Sequence, residues 1–426
     1  MDEKTLKSIT AELDKNTMFH LSLGSKELFH SNFLEFLWDK SPEAFSNMLS
    51  NLLPERTVIE KQKGSIKLEA AREKENFDFC IFHKVYNEEQ TDEEDYKIEY
   101  DVIIENKVKS IPYLAQLNKY EEKVNKNSHP IYILLSLSTD FADAEDIRNE
   151  TPWNIVSYQQ LAKQIKNFFI ENVNIESEEQ KKSIERAKQY IEDYYNFIIQ
   201  LDLLQKYCLE NKEKFFSQNN TDLKELREIR LHDFYLKFLG SYFIGEIYKK
   251  VKKKIYHNNS GERLIVETEN RKQKYKEVEI FLSSGMNNSN STITAAISHT
   301  GEDGKKVFYT IQIEGKAYRH MYNKENFATD CCEPKEEPEK KPGKRVKVKS
   351  KTVLKELKGK STLDFLLFKT PFEVSNFEGE LSDYCKYAPD VVYKYKEIKP
   401  EVTFDKMLEI MENDIIQTYN EIHKLN

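Results

Sequence analysis

Apolar residues are spaced along this chain in three ways: at helical intervals, in alternation, and in uninterrupted runs. Helical spacing covers residues 3–22, an amphipathic pattern that ends near His20-Leu-Ser-Leu-Gly24. It returns in Ser25–Leu37, where Ser25 is placed to cap the start and Leu28, Phe29, Phe33, Phe36 and Leu37 suit a buried stripe. Ser41–Leu53 carries a third helical pattern with Pro42 in its first turn. Thr57–Ile66 and Lys67–Ala71 read as strand or edge material, and Phe77-Asp-Phe-Cys-Ile-Phe82 as a strong short strand. Between Tyr86 and Tyr96 the run NEEQTDEED is too polar to pack and reads as a solvated hairpin loop.

Ile98–Val108 is the stretch around which these elements arrange themselves. It is rich in β-branched and aromatic residues and long enough for a core strand. Alternate residues of a strand share a face, so Asp101, Ile103, Glu105 and Lys107 point one way and Val102, Ile104 and Asn106 the other. Ser110-Ile-Pro112 stops the strand, because proline supplies no ladder donor. Tyr113–Asn125 then has helical character, with Gln116 and Tyr120 four residues apart on one face. Pro130–Leu137 is almost wholly apolar, as expected of a strand buried on both faces. Trp153–Ser157 is a further strand, Tyr158–Ile170 a helix, and Ser177–Asn211 a long helical stretch.

This order predicts an α/β layer structure for residues 1–170, a helical connector over 171–220, and a second domain over 221–426. The second domain reads as α+β. Leu223–Lys254 is helical with aromatic anchors, Arg263–Ser283 and Ser291–Glu314 alternate like antiparallel strands, and Thr403–Leu425 is a closing helix. Cys332–Lys360 is a charged, proline-bearing linker, and no internal repeat is present.

Composition narrows the function classes. With 426 residues, 39% hydrophobic, and 25 Phe and 24 Tyr, the chain can bury a sizeable core. A net charge of −8 argues against a generally basic nucleic-acid binder while leaving room for a local basic groove. The five cysteines are scattered, and the adjacent Cys331 and Cys332 lack metal-ligand spacing, so a reduced, cytoplasmic setting is expected. The charged N-terminus has no apolar signal core, and no run approaches the roughly 18 apolar residues of a membrane span.

Candidate chemistry lies at the ends of two strands. Asp78 sits inside an apolar strand, where a charge is costly unless it is paired or holds a metal. Glu105 and Lys107 place an acid and an amine on one strand face, about 7 Å apart by strand rise. Two acids and a lysine converging there suit Mg²⁺, with the main-chain carbonyl of Asn106 completing the shell. Such an ion polarises a phosphodiester and lowers the pKa of a bound water, and Lys107 orients that water or neutralises developing charge. Asp101 shares the face of Glu105 but lies about 13 Å back along it, so Asp78 is the preferred acid.

These residues resemble the PD-(D/E)XK nuclease superfamily. Asp78, then Glu105-Asn106-Lys107 in the setting IIENK, then Gln116-x-x-x-Tyr120, is similar to the branch in which IIENK is followed by QLxxY. Glu27-Leu-Phe-His30-Ser31-Asn-Phe-Leu34 resembles that branch's first helix, with its Glu before a His-Ser pair. The likeness spans about residues 18–165. It implies a restriction-endonuclease-like core, a mixed four-stranded sheet flanked by helices. It further implies Asp78, Glu105 and Glu27 in the metal site with Mg²⁺ or Mn²⁺, Lys107 as the catalytic lysine, and Gln116 and Tyr120 lining the cleft. Phe77 stands where the pattern's proline would precede Asp78, and the loop between the acids is long and acidic. The activity implied is metal-dependent hydrolysis of phosphodiesters, endo- or exonucleolytic, on nucleic acid and DNA before RNA, in defence against foreign DNA or in repair. The alternative is a catalytically silent module of this fold that binds nucleic acid or a protein. The second domain would select the target or a partner, or form a homodimer.

Other patterns fall short. Gly359-Lys-Ser-Thr362 lacks the glycine that a phosphate loop needs where Leu354 stands. The basic runs Lys249–Lys254 and Lys340–Lys360 read first as solvated faces.

Overall fold

The computed structural model describes residues 5–22, 27–53, 67–86, 96–108, 114–124, 129–139, 141, 144–171, 175–217, 220–258, 265–267, 271–275, 278–287, 290–300, 306–315, 317–324, 346–347, 385–388, 391–398 and 402–423. Ser25, Thr57–Ile66, the NEEQTDEED loop, Ser110–Pro112, Cys331, Cys332 and Gly359–Thr362 lie outside the described residues, as does nearly all of Cys332–Lys360. The chain divides into two compact units, Met1–Glu210 with Thr221–Phe238 and Asn211–Asn220 with Leu239–Asn426.

In the first unit the opening helical pattern is cut in two, α1 (Leu6–Lys15) and α2 (Thr17–Leu21). Asn16 causes the break: its backbone is extended, and its side chain accepts from Phe19 N to cap α2. Next come α3 (Glu27–Lys40) and α4 (Pro42–Ser50), whose N-cap Ser41 accepts from Ala44 N with proline in the first turn. The buried face of α3 is His30, Ser31, Phe33, Leu34, Leu37 and Trp38, while Leu28 of the expected stripe is 43% exposed.

Five strands follow: β1 (Glu69–Lys74), β2 (Phe77–Tyr86), β3 (Tyr96–Lys107), β4 (Ile131–Ser136) and β5 (Trp153–Ser157). They form one sheet in that order, one strand more than expected, because β1 adds an edge. β1–β2 and β2–β3 pair antiparallel, β3–β4 and β4–β5 parallel. Parallel neighbours need crossovers, which α5 (Leu114–Lys123) and α6 (Ala144–Glu150) supply. Residues 102–107 of β3 are all buried, so no alternation survives in a strand covered on both faces.

A bulge interrupts the β2–β3 ladder: Ile81 pairs with Val102, but Phe82 pairs with Tyr100. Asp101 is the extra residue, and it turns its carboxylate to His83 Nδ1 at 2.8 Å. α7 (Tyr158–Ile165) starts on a capping box made by Ser157 and Gln160 and continues as a π-helical stretch to Glu171.

The 33-residue α8 (Glu178–Glu210) packs against α1, α2, α3 and α7. Tyr194 stacks on Phe33 with ring centroids 3.8 Å apart, and Phe197 stacks on His30. Each such fully buried side chain contributes about 1.5–3 kcal/mol of burial. After α9 (Thr221–Glu228), Arg230 takes a φ of 62° and Leu231 N returns to Leu226 O. This turn splits the expected Leu223–Lys254 helix and starts α10 (His232–Asn258).

The second unit is a nine-stranded sheet: β6 (Ile265–Glu267), β7 (Arg271–Tyr275), β8 (Val278–Asn287), β9 (Asn290–Thr300), β10 (Lys306–Glu314), β11 (Ala317–Lys324), β12 (Val346–Lys347), β13 (Cys385–Ala388) and β14 (Val391–Glu397). Its order is β12-β13-β14-β11-β10-β9-β8-β7-β6, and neighbours pair antiparallel. Ile293, Ala295, Ile297, Val307, Tyr309, Ile311 and Ile313 are buried and their neighbours in between mostly are not. That is the period of a sheet packed on one face. The covering helix is α11 (Phe404–His423), which packs on β9 and β10. At Gly240, where α10 meets β9, an added Cβ would lie 3.0 Å from Ser291 Oγ. Among the described residues no helix is long and apolar enough to cross a membrane.

Candidate active site

The C-terminal end of β3 gathers the candidate residues. Its parallel ladder with β4 continues through Glu105↔Leu134, Asn106↔Leu135 and Lys107↔Ser136. On the β2 side the last paired residues are Phe79 and Ile104, and beyond them the Asp78 carboxylate takes over: Asn106 N donates to Asp78 Oδ2 over 2.7 Å. Lys107 Nζ donates to Glu105 Oε1 over 2.7 Å, in a pair whose side chains are only 10% and 3% exposed.

The helix after the strand closes over Glu105. Gln116 Nε2 donates to Glu105 Oε1 over 2.9 Å and to the Tyr120 hydroxyl over 2.9 Å. The Tyr120 hydroxyl lies 3.4 Å from Glu105 Oε1. Glu27, in the first turn of α3, accepts from Val108 N over 3.2 Å and exerts its charge on Lys107, Asp78 and Glu105. Thus Glu27, Asp78, Glu105, Asn106, Lys107, Gln116 and Tyr120 are brought together from four elements. Asp101, back at the bulge, is held by His83 instead.

The electrostatics are those of crowded acid. Burial pushes the Asp78 carboxyl above its ordinary value, against the pull of the Asn106 N–H and Lys107. Burial, opposed by Lys107 and reinforced by Asp78, pushes Glu105 up to about 7. Lys107 is buried too, which works against its charge, but Glu105, Glu27 and Asp78 outweigh this and hold the ammonium above its usual range. Burial and the nearby Glu105 push the Tyr120 phenol up to about 12. Three carboxylates therefore face one buried ammonium.

This donor set suits a hard divalent cation, which binds oxygen and, for Mg²⁺, works with one or two carboxylates and retained waters. Among the described residues no three His, Cys, Asp or Glu side chains form a ready-made cage. Several of the carboxylate oxygens are turned to protein donors.

Two features escaped the sequence. Asn106 does more than offer a carbonyl: its Nδ2 donates to Ser31 Oγ over 2.7 Å, and its Oδ1 lies 3.5 Å from the Tyr158 hydroxyl. His30 turns away to the Tyr194 hydroxyl, 3.0 Å from its Nδ1. These partners lie 52 to 164 residues apart along the chain, and no local spacing announces them.

Residues 15–196 match the family model described as the PD-(D/E)XK nuclease superfamily. The match holds every site residue named above and ends within α8. No curated protein and no solved structure matches the chain.

Proposed function

From the premise that residues 15–196 belong to the PD-(D/E)XK nuclease superfamily, we propose that this chain hydrolyses phosphodiester bonds of nucleic acid with a divalent metal, Mg²⁺ or Mn²⁺. The observation that carries the reading is the buried Glu105–Lys107 pair with Asp78 and Glu27 gathered beside it. Asp78 and Glu105, with the Asn106 carbonyl and Glu27, would hold the cation. When bound, that ion polarises the phosphate and acidifies a water.

The chain's own residues supply the rest. Lys107, kept charged by the surrounding acids, faces the water that attacks phosphorus and offsets the charge that builds on the phosphoryl oxygens. Gln116 and Tyr120 fix Glu105 from the helix side. One P–O bond forms to the water oxygen, whose proton passes to solvent, the bond to the leaving sugar oxygen breaks, and solvent supplies a proton to that oxygen.

DNA is the proposed substrate, in defence against foreign DNA or in repair, and the second unit is proposed to select the target or a partner. A reducing, cytoplasmic setting is proposed from the five scattered cysteines of the sequence. The engagement of carboxylate oxygens by protein donors is what favours the second reading, a binding module of the same fold without turnover.

The test is cleavage of plasmid DNA, with RNA run in parallel, by the purified full chain in Mg²⁺ or Mn²⁺. Lys107→Ala should lower the rate by about 10²–10³-fold, the usual loss for one group that stabilises transition-state charge. Cleavage by Lys107→Ala at the parental rate contradicts the assignment. Nucleic-acid binding by the parent with no scission in either metal favours the binding module.

A further inference from the structure

The first two turns of α3 touch the active strand at positions that straddle Lys107. At one, Asn106 Nδ2 donates to Ser31 Oγ over 2.7 Å, with both residues wholly buried. At the other, Val108 N donates to Glu27 Oε1 over 3.2 Å. Ser31 directs its own hydroxyl hydrogen back along the helix to Glu27 O, 3.5 Å away, so its lone pairs face the Asn106 amide. The other end of that amide meets the Tyr158 hydroxyl, the first residue of α7. One side chain is thus held at both ends by two helices.

Its own main chain is the segment that matters for chemistry. Asn106 N donates to Asp78, and Asn106 sits between Glu105 and Lys107. The regular ladder with β2 has already ended at Ile104, so side chains hold the strand on that edge. A rotation of the 105–107 backbone would swing both Glu105 and Lys107 out of register; the β4 ladder resists it on one edge, and on the other the Asp78 bond and the Asn106 amide do.

We infer that Ser31 is a positioning residue, assisted by Tyr158, that fixes through Asn106 the directions in which Glu105 and Lys107 leave the strand. This rests on the phosphodiesterase reading of the same cleft. Neither residue touches the reacting atoms. Their contribution is the orientation of groups that do, the role that outer hydrogen-bond partners play around metal ligands.

Ser31→Ala and Tyr158→Phe each remove one hydroxyl. Three quantities test them in the full chain: steady-state cleavage with Mn²⁺, the Mn²⁺ dissociation constant by calorimetry without nucleic acid, and the melting temperature. Ser31→Ala should lower kcat or Mn²⁺ affinity by about 10- to 100-fold. KM for nucleic acid should stay unchanged. Tyr158→Phe, whose contact is longer, should show a smaller loss in the same direction. The inference is overturned if both variants keep the parental kcat and Mn²⁺ affinity, or if their losses only follow a lower melting temperature. A parent that neither cleaves nor binds Mn²⁺ overturns the phosphodiesterase reading and the inference with it. A parent that cleaves while both variants match it overturns the inference alone.

Discussion

Each unit buries a polar cluster between a sheet and a helix, and the two clusters are balanced differently. In the second unit Asp414 of α11 is met by donors: the Tyr318 hydroxyl at 2.6 Å and His320 Nε2 at 3.1 Å, both on β11. Buried Lys396 on β14 also feels its charge, and Thr418 donates to its main-chain carbonyl. Burial lowers Lys396 and raises the Tyr318 phenol, so the cluster works as one carboxylate surrounded by hydrogens. In the first unit three carboxylates face Lys107, and burial pushes Asp78 and Glu105 upward. A matched cluster clasps a helix to a sheet. An acid-rich one costs stability in the absence of a cation, and such costs collect at functional sites.

Asp414→Ala leaves buried donors without their acceptor and should destabilise the second unit by about 3–5 kcal/mol, the usual effect of breaking a buried pair. Chemical denaturation of the full chain measures it, and a loss near zero would mean the cluster is no clasp. Adding Mn²⁺ at about 100 times its dissociation constant should stabilise the first unit by about 2.7 kcal/mol through linkage. Thermal melts with and without metal read this out, and the gain should vanish in Asp78→Asn.

The same Asp78→Asn substitution, without metal, should raise stability by roughly 0.5–2 kcal/mol while abolishing cleavage, the pattern of a site where function opposes stability. A destabilised Asp78→Asn would instead place the Asp78–Asn106 bond among the fold's supports. Tyr318→Phe should cost about 1 kcal/mol for one lost hydrogen bond, with cleavage unchanged.

How far the sequence could be read follows the same physics. Trp153–Ser157 was legible to the residue as β5, and IIENK as the end of a core strand, though its burial on both faces was not. The Gln116–Tyr120 pair was legible because helical spacing puts both on one face, and both reach Glu105. Lys67–Ala71 was legible as strand or edge material, but β1 was not counted as a fifth strand of the core sheet, since EAAREK carries no apolar alternation and depends on its pairing with β2. Asn16 and Arg230 break helical patterns without glycine or proline, one through a side-chain cap and the other through a positive φ. Leu28 fits the stripe of α3 by spacing yet is exposed, because the face α3 buries also includes His30 and Ser31, which polarity alone would put outside. Ser31–Asn106 joins residues 75 positions apart, and only the folded chain reveals it.

The acid excess beside Lys107 is proposed to be a cation site. Calorimetric titration of Mn²⁺ into the full chain, its Asp78→Asn form and its Glu105→Gln form tests this most directly. The parent should bind Mn²⁺, and either substitution should abolish that binding. Binding that survives both, or a parent that takes up no Mn²⁺, would contradict that proposal.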